Sequence, residues 1–190
     1  MRSTRHLGFL ASLTLAAAIL TAPASAQDRD ATMAGSVGRW WGMIQRQFVS
    51  LAEAMPEDKY SFKPSNGQFK DVRTFAEQVK HVACANFAFF DEIEHKTPPP
   101  DCESGGSEPA HTKSELLKYL RDSFAYGDRV IGGLTPANAL DPVDGQYGGP
   151  STCLGISTLA IWHNSDHYGQ LVVDLRMNGI IPPASAGTAR

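Results

Sequence analysis

The chain has 190 residues, of which 17 are basic and 20 acidic, giving a formal net charge of -3. This length fits one domain with a sizeable hydrophobic core. A modestly acidic chain without a cluster of lysines or arginines does not attract nucleic acid or an anionic membrane surface, so we expect neither as a partner.

The first 26 residues have the pattern of a secretory signal. Arg2 and Arg5 precede an apolar run over residues 7–20, and Ala24-Ser25-Ala26 fits a small-residue cleavage site. The apolar run is short for a membrane span, which makes a retained anchor the weaker alternative. We therefore predict cleavage after Ala26, a periplasmic or secreted protein without a stable membrane anchor, and one domain over residues 27–190.

Four segments of that domain show helical periodicity. The first has an apolar stripe that stops before Pro56, and the second begins near Asp71. The third spans about Ser114 to Gly132 with Ser114 as its cap, and the fourth covers residues 154–177. No segment alternates as a half-buried strand does, so the pattern predicts an all-α four-helix bundle. The stripe of the first helix consists of Val37, Trp41, Ile44, Phe48, Leu51 and Met55.

Two connecting segments have distinct compositions. Residues 56–67 combine prolines with Tyr60 and Phe62, which predicts an ordered crossover whose aromatic rings pack over the bundle. Residues 135–152 are rich in proline, glycine, aspartate and asparagine. This second segment is expected to be a long loop of the kind that often covers a functional site.

The chain has three cysteines, and export would favour one disulfide and one free thiol. Cys84 lies among small apolar residues of the second helix, so we expect it to be a buried hydrophobe. Cys102 and Cys153 both lie near helix ends, and we predict that these two form the disulfide. A nucleophilic role for Cys84 beside His81 is a weaker alternative, because a catalytic thiolate needs an accessible, electropositive setting.

The fourth helix carries His163 and His167, four residues apart. This spacing places both imidazoles on one helix face, where they could hold one metal ion. Zinc-like sites usually take three protein ligands when they act chemically. Only His81 lies in the middle of another amphipathic run, so we predict a site formed by His81, His163 and His167. The other histidines lie in the signal or near helix ends: His6, His95 and His111.

Other interpretations of these histidines remain open. The pair could be buried and hydrogen-bonded to neighbours without a metal. A metal-free ligand-binding bundle is a further alternative, and it predicts that His81 lies far from the other two. Protease chemistry of the H-E-x-x-H type is disfavoured, because Asn164 stands where that mechanism needs a carboxylate. No general base can be assigned, and the candidates are Asp166, Gln170 and Asp174.

Several stretches together resemble the DinB/YfiT-like family of metalloenzymes. They are residues 41–55, the crossover Met55-Pro56-Glu57-Asp58-Lys59-Tyr60 with Pro64-Ser65, the run Thr74-Phe75-Ala76-Glu77-Gln78-Val79-Lys80-His81, and residues 163–183. The resemblance covers essentially the whole mature chain. It implies a four-helix bundle, often dimeric, with a divalent metal held by one histidine of the second helix and two of the fourth. Those positions are His81, His163 and His167.

The resemblance also suggests a chemistry. Some relatives use the metal to activate a low-molecular-weight thiol for transfer or isomerisation. Three neutral imidazoles leave the charge of a divalent ion uncompensated, so a bound water or thiol would be deprotonated more easily. We therefore expect a thiol transferase or hydrolase acting on a small molecule, with zinc or nickel first and iron or manganese as alternatives. A non-catalytic metal-binding or stress-associated protein is the alternative function.

Overall fold

A computed structural model describes residues 31–68, 71–147 and 149–187 of the protein. The export signal predicted over residues 1–26 lies outside the described residues, so cleavage and export stay predictions. Within the described ranges, none of the helices has the length and apolar character needed to cross a membrane.

The described chain forms four α-helices and one antiparallel hairpin. The helices are α1 (Met33–Ala54), α2 (Phe75–Ile93), α3 (Lys113–Gly132) and α4 (Cys153–Met177). The hairpin strands are β1 (Pro142–Gly145) and β2 (Gly149–Thr152). Because α3 and α4 each pack against both α1 and α2, the helices enclose one core. The prediction of an all-α four-helix bundle is confirmed.

Each helix begins after a threonine whose hydroxyl accepts a hydrogen bond from a backbone amide in the first turn. In α2 and α3 a glutamate of the first turn completes a capping box. These caps correct two predicted boundaries, since α2 begins at Phe75 rather than near Asp71, and Ser114 is not the cap of α3. The four capping residues are Thr32, Thr74, Thr112 and Thr152.

The centre of the core is aromatic. The ring of Trp41 lies 5.1 Å from that of Phe90 and 4.9 Å from that of Phe124, centroid to centroid. Gly127 allows two of these rings to approach the backbone of α3, because a Cβ there would lie 2.3 Å from Trp41 and 2.5 Å from Phe90. The stripe predicted for the first helix is confirmed from Trp41 to Met55, where its apolar side chains are buried.

The crossover after α1 is ordered around Tyr60. Its ring is buried, its hydroxyl donates to the carbonyl of Ala52 at 2.7 Å, and it contacts the ring of Phe75. The ring therefore joins the end of α1 to the start of α2, and its burial agrees with the prediction of an ordered crossover whose aromatic rings pack over the bundle.

The segment over residues 135–152 contains the hairpin, which the sequence did not indicate. Its strands carry proline, glycine, aspartate and serine instead of alternating β-branched residues, so they lack the usual strand pattern. The amide of Tyr147 donates to Glu92 at 2.8 Å, and its hydroxyl donates to the carbonyl of Pro99 at 3.0 Å. The hairpin turn is thereby attached to the C-terminal end of α2 and the segment that follows it.

The predicted Cys102–Cys153 disulfide is wrong. Cys102 is bonded to Cys84, with their Cα atoms 5.3 Å apart, and Cys153 is a buried free cysteine. After the prolines at 98–100, the chain turns back toward α2 through Asp101, which adopts a left-handed conformation with φ 56°. This turn brings Cys102 onto the middle of α2. Cys84 is fully buried as expected, but it is no free thiol, which excludes the nucleophilic alternative in the bridged protein.

Candidate metal centre

The packing of α2 against α4 brings the three predicted ligands together. His163 and His167 lie one turn apart on α4, and His81 faces them from α2. The Nε2 atom of His81 lies 3.2 Å from Nε2 of His163 and 3.2 Å from Nε2 of His167. The two histidines of α4 are 3.1 Å apart at the same atoms. The metal-free interpretation, which placed His81 far from the other two, disagrees with this geometry.

The triangle of Nε2 atoms has the size that a metal site requires. In a tetrahedral site with metal–nitrogen bonds of about 2.0–2.1 Å, neighbouring ligand nitrogens lie about 3.3 Å apart. The three histidines could therefore hold one ion with little rearrangement. That they bind one stays a prediction.

The surroundings keep these imidazoles neutral. His81 and His167 are buried, and His163 is partly buried, with the ring of Phe89 5.3 Å away. Burial is the main cause that lowers the pKa of all three, and the neighbouring imidazoles lower the pKa of His163 and His167 further. Neutral rings are the form that binds metals.

The orientation of His81 is fixed by the main chain. Its Nδ1 atom lies 2.7 Å from the carbonyl oxygen of Cys102. A carbonyl can only accept, so Nδ1 carries the hydrogen, and in the neutral ring the lone pair of Nε2 faces the other histidines. This is the tautomer that coordination through Nε2 needs.

His167 is held by Gln78, a residue that the sequence did not single out. The amide nitrogen of Gln78 lies 2.7 Å from Nδ1 of His167 and donates to Gln170 Oε1, also at 2.7 Å. With this nitrogen facing Nδ1, the hydrogen of His167 lies on Nε2. Coordination through Nε2 requires the other tautomer, for which Gln78 would present its amide oxygen. The signal for Gln78 was its position three residues before His81, on the same helix face.

One atom of the cluster has no partner. Nδ1 of His163 is buried and makes no hydrogen bond within the described part of the chain. A buried polar atom without a partner is costly in a site that serves only stability. Coordination through Nε2 would put the hydrogen of His163 on this Nδ1 atom, which has no acceptor among the described residues.

Asn164 belongs to a different set of contacts. It is fully buried, and its amide donates to Asn86 Oδ1 and to the carbonyl of Ala160, each at 2.7 Å. Its side chain is therefore engaged in the bundle interior. This is consistent with the expectation that the residue after His163 is no catalytic base.

A pocket of about 530 Å³ lies beside the cluster, next to the second turn of α4 beyond His167. Gln78 and Gln170 form part of its wall, whereas none of the three histidines lines it. Residues 71–73 form another wall, and none of the described residues of the 135–152 segment contributes. Gln78, which contacts His167, and Gln170 therefore lie between the pocket and the histidines.

Charged groups of the pocket have different roles. Arg73 forms an ion pair with Glu103 at 2.6 Å and is thereby already neutralised. Asp174 is 8% exposed, and burial raises the pKa of its carboxyl to about 6. The other two candidates for a base contact each other. The exposed carboxylate of Asp166 accepts a hydrogen bond from the side-chain amide of Gln170 at 2.9 Å.

The chain was compared with known proteins. A family model described as DinB superfamily matches residues 42–171, which include His81, His163 and His167. The search of curated proteins found no match.

Proposed function

The chain belongs to the DinB superfamily, and we propose that it is an exported enzyme that binds one divalent metal ion through His81, His163 and His167. The proposed reaction is transfer of a low-molecular-weight thiol to an electrophile, or hydrolysis, with a small-molecule substrate. Zinc or nickel is the proposed ion, with iron or manganese as alternatives, because imidazole nitrogens suit all of these metals.

The convergence of three neutral imidazole nitrogens carries this proposal. Each Nε2 atom lies within 3.2 Å of the other two, in a buried place that disfavours protonation. A bound divalent ion would supply Lewis-acid chemistry there, lowering the pKa of a water toward about 7 or that of a thiol. The carbonyl of Cys102 orients the ring of His81 for it, and Gln78 would orient that of His167 once its amide oxygen faces Nδ1.

The pocket beside the cluster is the proposed place for the substrate. Its apolar wall includes Val72, Val173 and Met177, and its polar groups include Gln170 and Asp174. Such a mixture suits a small organic molecule with few polar groups. A carboxyl with a pKa of about 6 can exchange a proton near neutral pH, so Asp174 is the proposed acid or base.

A homodimer is also part of the proposal. The outward face of α4 exposes the large apolar side chain of Trp162, whereas the exposed side chains of Val173 and Met177 belong to the pocket wall. A second copy of the chain would remove this surface from water, and the proposal agrees with the dimers of the family that the sequence resembles.

One observation favours the non-catalytic alternative, in which the ion is only carried or stabilises the bundle. None of the three histidines lines the pocket, so a substrate there would have to reach the ion past Gln78 and Gln170. Under this alternative, metal is bound but neither thiol transfer nor hydrolysis is accelerated.

The proposal is tested by metal content and activity. Protein purified without an affinity tag from the periplasm is analysed for metals beside His81→Ala, His163→Ala and, as a matched control, His111→Ala. His111 is exposed and lies outside the cluster. We expect about one equivalent of metal in the parent and the control, and almost none in the other two. A parent that binds no metal even after reconstitution overturns the site.

Activity then separates the two functions. The reconstituted parent is screened for transfer of small thiols to electrophiles and for hydrolysis, with His163→Ala and Asp174→Asn beside it. Turnover that requires His163 and that decreases in Asp174→Asn supports the enzyme. Metal binding without any turnover above that of His163→Ala supports the alternative.

A further inference from the structure

We propose that the Cys84–Cys102 disulfide holds His81 in its metal-binding tautomer, so that the metal affinity of the site depends on the oxidation state of this bridge. The proposal rests on the proposed metal function. It adds a regulatory role for Cys84 and Cys102.

The contacts of Cys102 link the bridge to the ligand. Its sulfur is bonded to Cys84, which lies three residues after His81 on the same face of α2. Its carbonyl oxygen, in turn, accepts the hydrogen of His81 Nδ1 at 2.7 Å. Cys102 therefore contacts α2 at two points, Cys84 through the disulfide and His81 through its carbonyl oxygen.

The segment around Cys102 depends on the bridge for its position against α2. Asp101 has a positive φ of 56°, which is uncommon for a residue other than glycine, and the chain continues through Gly105 and Gly106 at 89° and 73°. Gly106 packs so closely on the bridge that a Cβ would lie 2.5 Å from the sulfur of Cys84. Backbone hydrogen bonds from Gly105 to Cys102 and from Gly106 to Asp101 close this turn, so the contribution of the bridge is to hold the closed turn against α2.

Two other polar attachments flank Cys102, of which the first is the hydrogen bond from the Tyr147 hydroxyl to the carbonyl of Pro99 at 3.0 Å, and the second is weak. Arg73 donates to the carbonyl of Glu103 at 2.8 Å and pairs with its carboxylate at 2.6 Å, but the Glu103 side chain is largely exposed. Exposed ion pairs of this kind contribute little in water. The buried bridge is therefore the strong attachment that keeps the Cys102 carbonyl at His81.

Loss of the bridge would affect the ligand directly. Without its carbonyl partner, the ring of His81 could rotate and place its hydrogen on either nitrogen. Removing a partner that orients a metal ligand typically lowers metal affinity by about 10–100-fold. An oxidising compartment would thus favour the metal-bound protein, and a reducing one would favour release.

The test compares the bridged parent with the variant Cys84→Ala/Cys102→Ala. Alanine is chosen because a free thiol beside His81 could itself bind the ion. Zinc affinity is measured by competition with a chromophoric chelator, and the ring tautomer of His81 by ¹⁵N NMR of the metal-free protein. Cys153→Ala is the control, because it removes the third cysteine and leaves the bridge.

We expect zinc to bind about 10–100-fold more weakly to the double variant, with unchanged affinity in the control. His81 should carry its hydrogen on Nδ1 in the parent and exchange between both nitrogens in the variant. A bridge that only stabilised the fold would leave the tautomer unchanged, so the NMR result separates positioning from stability.

If the double variant does not fold, a second measurement on the parent takes its place. The metal-free parent is reduced with a phosphine, which takes oxygen from water to become its phosphine oxide, while the S–S bond breaks and each sulfur gains a hydrogen. The same change of the His81 tautomer is expected. An unchanged tautomer after reduction, or equal zinc affinity in a folded double variant, overturns the role of the bridge while the metal site stands, whereas a parent that binds no zinc overturns both.

Discussion

Two buried polar clusters lie side by side in this bundle, and they satisfy their hydrogen bonds differently. The asparagine cluster, formed by Asn86, Ser123 and Asn164, joins three helices, and each of its side-chain polar atoms has a partner. In the histidine cluster, formed by His81, His163 and His167, three ring nitrogens face one another and one Nδ1 atom has no partner.

The difference separates a structural role from a proposed functional one. Donors and acceptors match in the asparagine cluster, so it needs nothing from outside. In the histidine cluster three neutral imidazoles face one another through Nε2, and a cation would use all three lone pairs once the hydrogen of His167 lies on Nδ1. His163 and Asn164 are neighbours in the chain, yet the turn of the helix assigns them to different clusters.

The largest expected effect is the stabilisation of the folded protein by a metal ion that binds at the histidine cluster. Zinc at about 1,000 times its dissociation constant should raise the free energy of unfolding by about 4 kcal/mol in the parent. His163→Ala should lose this increment, and Asn86→Ala should keep it. Urea unfolding with and without zinc measures the difference, and an equal increment in His163→Ala would contradict the assignment.

The pH dependence of the metal-free protein is expected to come from the histidine cluster. The pKa values of these histidines are lowered in the folded state, so below pH 6.5 the unfolded chain takes up protons that the folded protein does not. Stability is then fully present above pH 6.5 and decreases as the pH falls toward 4, by up to about 1.4 kcal/mol per pH unit for each histidine.

Urea unfolding of the metal-free protein between pH 7.5 and pH 5 measures this slope. Asp174, whose pKa is raised, acts in the opposite sense below about pH 6, so Asp174→Asn is the suitable background. His163→Ala should reduce the slope, while Asn86→Ala should leave it unchanged. Equal slopes with and without the His163→Ala change would contradict a contribution from buried neutral histidines.

The asparagine cluster should matter for stability without affecting metal. Asn86→Ala leaves the Asn164 amide without its acceptor at 2.7 Å, which should lower the free energy of unfolding by about 1–3 kcal/mol. Metal content should stay near one equivalent. If this variant lost its metal as the histidine variants do, the two clusters would be one functional unit.

The smallest expected effect concerns Gln78, which touches the histidine cluster from outside. Gln78→Leu removes the partner of His167 Nδ1 and should weaken zinc binding about tenfold, or about 1.4 kcal/mol. Gln78→Glu should restore or strengthen binding, because a carboxylate accepts the Nδ1 hydrogen well. Chelator competition measures both variants, and equal affinities in the leucine and glutamate variants would exclude an orienting role.

Features with a local signature were predictable from the sequence. Periodicity alone gave the core stripe that contains Trp41, and the four-residue spacing of His163 and His167 placed them on one face. His81 was found because the other histidines lay in poor positions. The family resemblance then pointed to the same three residues.

Features that depend on distant contacts were not predictable. The path that brings Cys102 to Cys84 passes through Asp101 in a left-handed conformation, for which the sequence has no glycine signal. The role of Gln78 follows from how α2 and α4 pack, which no periodicity specifies. The hairpin strands are too short and too poor in β-branched residues to be recognised.

Gly127 has a consequence for the axial register of the bundle. Because the rings of Trp41 and Phe90 fill the space where its side chain would be, α2 cannot slide along α3 without steric overlap. His81 is carried by the same helix as Phe90, and a slip of one residue would move it by about 1.5 Å. That distance is enough to separate nitrogens that now lie 3.2 Å apart. Gly127 thus helps to fix the axial position of His81, which lies more than two helical turns from Phe90 on α2.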